Sequence, residues 1–164
     1  YLAEVKDSTA AIALIQEASA KFPGDNDLLG METNYWIKKG DVAKSQEMIK
    51  KLIEKNPNSP DYQIAMGDIF FKQANDLQDT RNKLATELEA NKTNKVDAKK
   101  SKEFEDLGVK MKGILDQAIP YYKAASALDP KSGYALDKLK SIYYFKNDKV
   151  NGDAVQKQLD ALPK

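Results

Sequence analysis

Asn26–Ser59 reads NDLLGMETNYWIKKGDVAKSQEMIKKLIEKNPNS, and the fold turns on this stretch. In its first half, Leu29 and Trp36 stand two helical turns apart and share a face with Leu28. In its second half, Ser45, Ile49 and Leu52 recur at intervals of four and three, flanked by Met48 and Ile53. That spacing puts one apolar stripe on each of two helices. Gly40-Asp41 separates them, with Asp41 placed to cap the free amides of the second helix. Pro57 cannot continue that helix and closes the unit.

The pattern repeats. Ala11, Ile15, Ala18 and Pro23 match Ser45, Ile49, Leu52 and Pro57 at one constant offset of about 34 residues. The same step carries Trp36 to Phe70 and Thr33 to Gly67. Ala118, Tyr122, Ala125 and Pro130 match the second helix again after an insertion. Counting that insertion, Phe70 leads to Tyr143 and Gln63 to Leu136. An ordinary helical bundle has no reason to bring its prolines back in phase.

The chain therefore resembles the tetratricopeptide repeat family, in a bacterial type with a long helical hairpin inserted in one repeat. The residues that carry the likeness are the late aromatic of each first helix (Trp36, Phe70, Tyr143) and the small residue early in each second helix (Ala11, Ser45, Ala118). With them go the bulky residue one turn later (Ile15, Ile49, Tyr122), then Ala18, Leu52 and Ala125, and the closing Pro23, Pro57 and Pro130. Thr33 and Lys140 depart from the usual small residue, Glu32 from a leucine and Gln63 from a leucine or aromatic. Gly152 and Gln156 fit the last repeat poorly.

The resemblance implies an all-α, right-handed solenoid of about four helix pairs with a projecting antiparallel coiled-coil hairpin. It is read as one domain over 1–164, in four parts: a partial repeat at 1–25, repeats at 26–59 and 60–131, and a last repeat with a capping helix at 132–164. The hairpin insertion falls at about 75–113. The chain starts inside a helix, so Tyr1–Lys6 is expected to be the remnant of a first helix and the whole a piece of a longer protein. Asp7–Lys21 is its predicted partner, with Ala11, Leu14, Ile15 and Ala18 inward. The third repeat's first helix is predicted to run on from Pro60 through Leu77, Leu84 and Leu88 to about Ala90. Asn91–Lys95 then turns, and a helix resumes near Asp97 with Phe104, Leu107, Met111 and Ile114. Arg81 and Lys100 interrupt that seam, which predicts loose packing near the tip. Pro120 predicts a kink in the returning helix.

Composition narrows the function. The 164 residues are 31% charged with a net charge of +1, which lacks the basic excess of general nucleic-acid binding. No apolar run is long enough to span a membrane. Cysteine and histidine are both absent, removing thiol chemistry and the commonest general base and metal ligand. No phosphate-cradling loop, nucleophile elbow or zinc motif appears. Gly24-Asp25-Asn26-Asp27 resembles the start of a calcium loop, but Leu29 fills a ligand position and no glutamate follows at the right distance. No cofactor, metal or catalytic residue is assigned, and the chain is read as non-enzymatic.

In the family the first helices line a concave groove that takes an extended peptide or a helix. Carried over, the groove-facing residues are Asp27, Asn34, Ile37 and Lys38, then Asp61, Ile64, Asp68 and Phe71, then Tyr134, Asp137, Ser141 and Tyr144. Members that clamp a partner's terminal carboxylate use lysine, arginine and asparagine there. Only Asn34 matches, and the four aspartates would repel a carboxylate. The expected partner is a protein segment carrying Lys or Arg with an apolar anchor. In a competing reading, Phe71 and Tyr144 pack under the arm or against other parts of the parent protein. The tip lysines Lys92, Lys95, Lys99, Lys100 and Lys102 are expected to be solvated, since acids lie beside them and no aromatic is interleaved for base stacking.

The function expected is a protein-interaction scaffold or adaptor. The alternative is a structural spacer or dimerisation module acting through the arm. A groove binder loses its partner on Asp68→Lys or Phe71→Ala, whereas a spacer responds to shortening the arm between Leu77 and Met111. Likeness to bacterial members, many of them exported, implies a periplasmic or cell-envelope location as an expectation, while the sequence itself leaves the location open.

Overall fold

A computed structural model describes residues 8–90 and 97–163. Among them are seven helices and no strand: α1 (Ser8–Lys21), α2 (Asn26–Lys39), α3 (Val42–Lys55), α4 (Pro60–Ala90), α5 (Ala98–Leu128), α6 (Gly133–Phe145) and α7 (Lys149–Asp160). The expected remnant Tyr1–Lys6 and the expected turn Asn91–Lys95, with Lys92 and Lys95, lie outside the described residues. The chain forms two compact units, Tyr1–Tyr62 and Gln63–Lys164, with the boundary in the first turn of α4.

In the first unit α2 packs against both α1 and α3. The α2–α3 turn has the predicted two-residue form. Gly40 takes φ 73°, a left-handed conformation that side chains resist, and its N–H donates to the Ile37 carbonyl at 3.1 Å. The Asp41 N–H reaches the Trp36 carbonyl at 3.1 Å, and Asp41 Oδ1 accepts from the Lys44 amide at 3.0 Å. The first unit's buried apolar residues are Ile12 and Ile15 on α1 and Met48, Ile49 and Leu52 on α3. Leu14, expected inward, is 58% exposed, and Ile12 is buried instead. Ile12 and Ile15 are three apart and share a face, while Leu14 points away from that face toward solvent.

Two polar residues sit in this core, Thr33 and Ser45. Each hydroxyl donates to the carbonyl one turn back, Thr33 to Leu29 and Ser45 to Asp41, both at 2.7 Å. A buried hydroxyl satisfied locally adds little more bulk than alanine and leaves no orphan donor. That is how Thr33 replaces a small residue without opening the packing.

In the second unit α4 and α5 have 31 residues each, about 46 Å at 1.5 Å per residue. They run antiparallel. Gly67 meets Tyr122, Arg81 meets Gly108 and Phe104, and Glu87 pairs with Lys100, so numbers rise on one helix as they fall on the other. Asp97 caps α5 through Lys99 and Lys100 amides, both at 3.1 Å, where the helix was expected to resume. The unit's core gathers Ala74, Leu115, Ala118, Tyr122 and Ala125 with Leu136, Leu139, Ile142, Tyr143 and Val155 from α6 and α7. Among the described residues, none between 75 and 113 belongs to this cluster, so the distal parts of α4 and α5 extend beyond it as an arm.

Arg81 and Lys100, expected to interrupt the arm's seam, each meet a partner across it. The Arg81 guanidinium lies 3.9 Å from the Phe104 ring centroid, and Gly108 leaves the space for it. A delocalised, weakly hydrated cation on an aromatic face is a workable seam residue. Lys100 reaches across to Glu87 at 2.5 Å. α5 continues through Pro120 as one helix from Ala98 to Leu128.

Gly152, a misfit in the repeat pattern, has a packing role. A Cβ there would stand 2.7 Å from the Tyr144 ring, so the absence of a side chain sets how closely α6 and α7 approach.

Candidate partner-binding face

The groove residues expected from the sequence divide between the two units. Asp27, Asn34, Ile37 and Lys38 lie exposed on α2, and Asp61 is exposed in the first turn of α4. The rest belong to the second unit, where one cluster between α4 and α6 brings several of them together.

Its centre is Asp68. Gly67 lets α5 approach so closely that the Tyr122 ring lies against the α4 backbone, and this delivers the buried Tyr122 hydroxyl to Asp68 Oδ1 at 2.6 Å. From α6, the Tyr134 hydroxyl donates to the same carboxylate, 3.1 Å from Oδ1 and 3.0 Å from Oδ2. Asp68 is half-buried, yet among the described residues no lysine or arginine pairs with it. Neutral donors orient a carboxylate without cancelling its charge.

One turn along α4, Phe71 is half-buried against the core, and its ring carries Lys138 Nζ at 4.3 Å from the centroid. The same ammonium stands 5.2 Å from the Tyr134 ring, which is 45% exposed. Phe71 packs against the core cluster and also offers a ring face to the α4–α6 surface. Ile64 packs against the core cluster. Asp137 is paired to Lys140 at 2.9 Å, and the Ser141 hydroxyl turns back to the Asp137 carbonyl at 2.9 Å. Tyr144 is turned to α7, where its hydroxyl donates to Asp153 at 2.8 Å.

Sequence reasoning placed Tyr122 in the core without its hydroxyl's role, and it missed Lys138. The one signal for Lys138 is its place four residues after Tyr134, on the same helical face.

The tyrosines at this face titrate late. Burial, then the hydrogen bond to Asp68, pushes Tyr134 up to about 12. Burial and the same carboxylate push Tyr122 upward further still. A raised folded value favours the neutral phenol, so the stabilisation is complete below the ordinary tyrosine value of about 10 and is lost as pH rises through the folded values. Melting temperature followed with pH is therefore expected to hold a flat shoulder up to about pH 10 and then drop. Tyr134→Phe should blunt the drop between about pH 10 and 12. A fall beginning near neutral pH in both proteins would contradict the assignment.

Among the described residues no helix is long and apolar enough to cross a membrane, and no cluster of acidic residues could hold a metal ion. Antiparallel helix pairs, tight capped turns and small residues at the crossings define an all-α helical-repeat scaffold. The sequence agrees: residues 2–69 match the family model for the tetratricopeptide repeat. Over those residues the chain is similar to the tetratricopeptide repeat family. A solved structure of similar fold is TTC0263, a thermophilic tetratricopeptide repeat protein of Thermus thermophilus. It has a TM-score of 0.55 and 19% identity, with 94% of this chain covered. This chain spans 66% of that protein, just under two thirds of its length. A structure of MamA also matches, at 19% identity over 93% of this chain and 86% of that one, but its TM-score of 0.39 is below that of a shared global fold. No curated protein matches the sequence. Tetratricopeptide repeat proteins bind protein partners and are generally non-catalytic scaffolds.

Proposed function

We propose that this protein is a non-catalytic interaction scaffold, and that the α4–α6 face of its second unit holds a partner segment bearing a lysine or arginine beside an apolar anchor. The reading takes the chain as one repeat domain with the boundaries set out above. The observation that carries it is Asp68: a half-buried carboxylate, fixed by two tyrosine hydroxyls and neutralised by no cation among the described residues. Such a group attracts an incoming cation, and the adjoining Phe71 and Tyr134 rings favour its aliphatic stem. The exposed residues Asp27, Asn34, Ile37 and Lys38 of α2 and Asp61 of α4 are proposed as further contacts for the same class of partner.

The test is selection from a random peptide library on the purified protein, followed by affinity measurement. Selected peptides are expected to be enriched in lysine or arginine next to leucine or an aromatic. Asp68→Asn keeps an acceptor for the tyrosines and removes the charge, and should weaken binding by about 5- to 20-fold, the range of a charge-assisted contact. Selection of acidic peptides, or of free C-terminal carboxylates, would overturn the reading.

A further inference from the structure

Lys138 occupies the place that a partner's cation would take. Its ammonium lies over Phe71 at 4.3 Å and over Tyr134 at 5.2 Å, and among the described residues no carboxylate pairs with it. The neighbouring Asp137 is taken by Lys140 instead. Lys138 is half-buried, as a long side chain laid over apolar surface should be. Asp68, meanwhile, accepts from only two hydroxyls, whereas a carboxylate offers about four lone-pair sites.

We propose that Lys138 is a built-in surrogate for the partner: a lysine or arginine side chain of the incoming segment displaces it from the Phe71 and Tyr134 rings and takes the open side of Asp68. The inference rests on the reading of this face given above and adds how the face chooses. A neutral apolar segment would have to lift Lys138 away and still leave Asp68 without a counter-charge. A basic segment replaces one ring-bound cation with another and gains the carboxylate. Selectivity therefore comes from exclusion of the wrong partner as much as from attraction of the right one. The free protein meanwhile keeps two aromatic faces covered.

The experiment uses short acetylated and amidated peptides with one arginine or one lysine between leucines, with the citrulline and norleucine counterparts as neutral controls. Affinities are measured for wild type, Lys138→Ala and Lys138→Met. Both substitutions remove the same charge, but methionine still covers the ring. Displacement predicts that Lys138→Ala binds the basic peptides about three- to tenfold tighter than wild type, that Lys138→Met gains less, and that the difference between them vanishes when Phe71→Ala is added. Equal gains for alanine and methionine would reduce the effect to charge removal and overturn the surrogate role while leaving the binding face intact. Binding to no variant would overturn both. A second readout needs no peptide: the Lys138 methylene protons should be shifted upfield by the rings in the free protein, and ordinary shifts there would overturn the proposal directly.

Discussion

Gly67→Val is expected to destabilise the second unit by about 3 kcal/mol or more, lowering its melting temperature by roughly 10–20 °C. A Cβ at this position would stand 2.8 Å from Tyr122 Cε1 and 2.9 Å from Cζ. Tyr122 cannot yield. It is fully buried, surrounded by core residues of α5 and α6, and its hydroxyl is tied to Asp68 at 2.6 Å. The two added methyl groups of valine force α4 and α5 apart along the seam, which strains packing at interior density. Gly67→Ala should cost less, because the methyl clash is partly offset by the roughly 1 kcal/mol by which alanine is the better helix former. Gly113→Ala is the control: nothing lies within 4 Å of its Cβ, and the residue is exposed within α5, so stability should rise by about 0.5–1 kcal/mol. Thermal and urea melts of the three variants decide the matter. If Gly67→Val melted like Gly113→Ala, the close approach of α4 to Tyr122 would be disproved.

Gly67 also shows how far a repeat pattern can be read from sequence. Its recurrence in phase with Thr33 announced a small residue at a helix crossing. The pattern did not announce that the ring filling the crossing comes from a residue beyond a long insertion, since Asp68 and Tyr122 are 54 positions apart. Periodicity reports which face of a helix is buried, whereas the partner across the seam depends on register, which no local spacing encodes. Gly152 fitted the repeat pattern poorly, yet even an alanine methyl there would stand 2.7 Å from the Tyr144 ring. Arg81 was read as a flaw in the arm because it is charged, and the Phe104 face that accepts it is supplied by the opposite limb.

The proposed binding face was legible to the same degree. The family resemblance implied that Asp68, Phe71 and Tyr134 face one groove. It did not reveal that Asp68 already holds two tyrosine hydroxyls or that Lys138 covers the rings, because both depend on side chains meeting across α4, α5 and α6.

Those contacts make Asp68 a structural residue as well as a candidate binding one, and Asp68→Ala is expected to cost about 2–4 kcal/mol of stability. The loss has one main source. Tyr122 is fully buried, so its hydroxyl would keep its desolvation cost and lose its charged acceptor. Tyr134 is 45% exposed, and its hydroxyl can turn to water, so Tyr134→Phe should cost under about 1 kcal/mol. A double-mutant cycle separates the two. In a Tyr122→Phe background no buried donor is left to orphan, and Asp68→Ala should become cheaper by about 1–3 kcal/mol. Additive costs would mean that the 2.6 Å bond contributes nothing, and Asp68 would be free for binding alone. If the coupling is present, Asp68→Lys is a poor test of the binding face: it would thrust an ammonium at two phenols and weaken the fold and the surface together. Asp68→Asn, which preserves the acceptor and removes only the charge, is then the substitution whose effect on a basic peptide reports recognition itself.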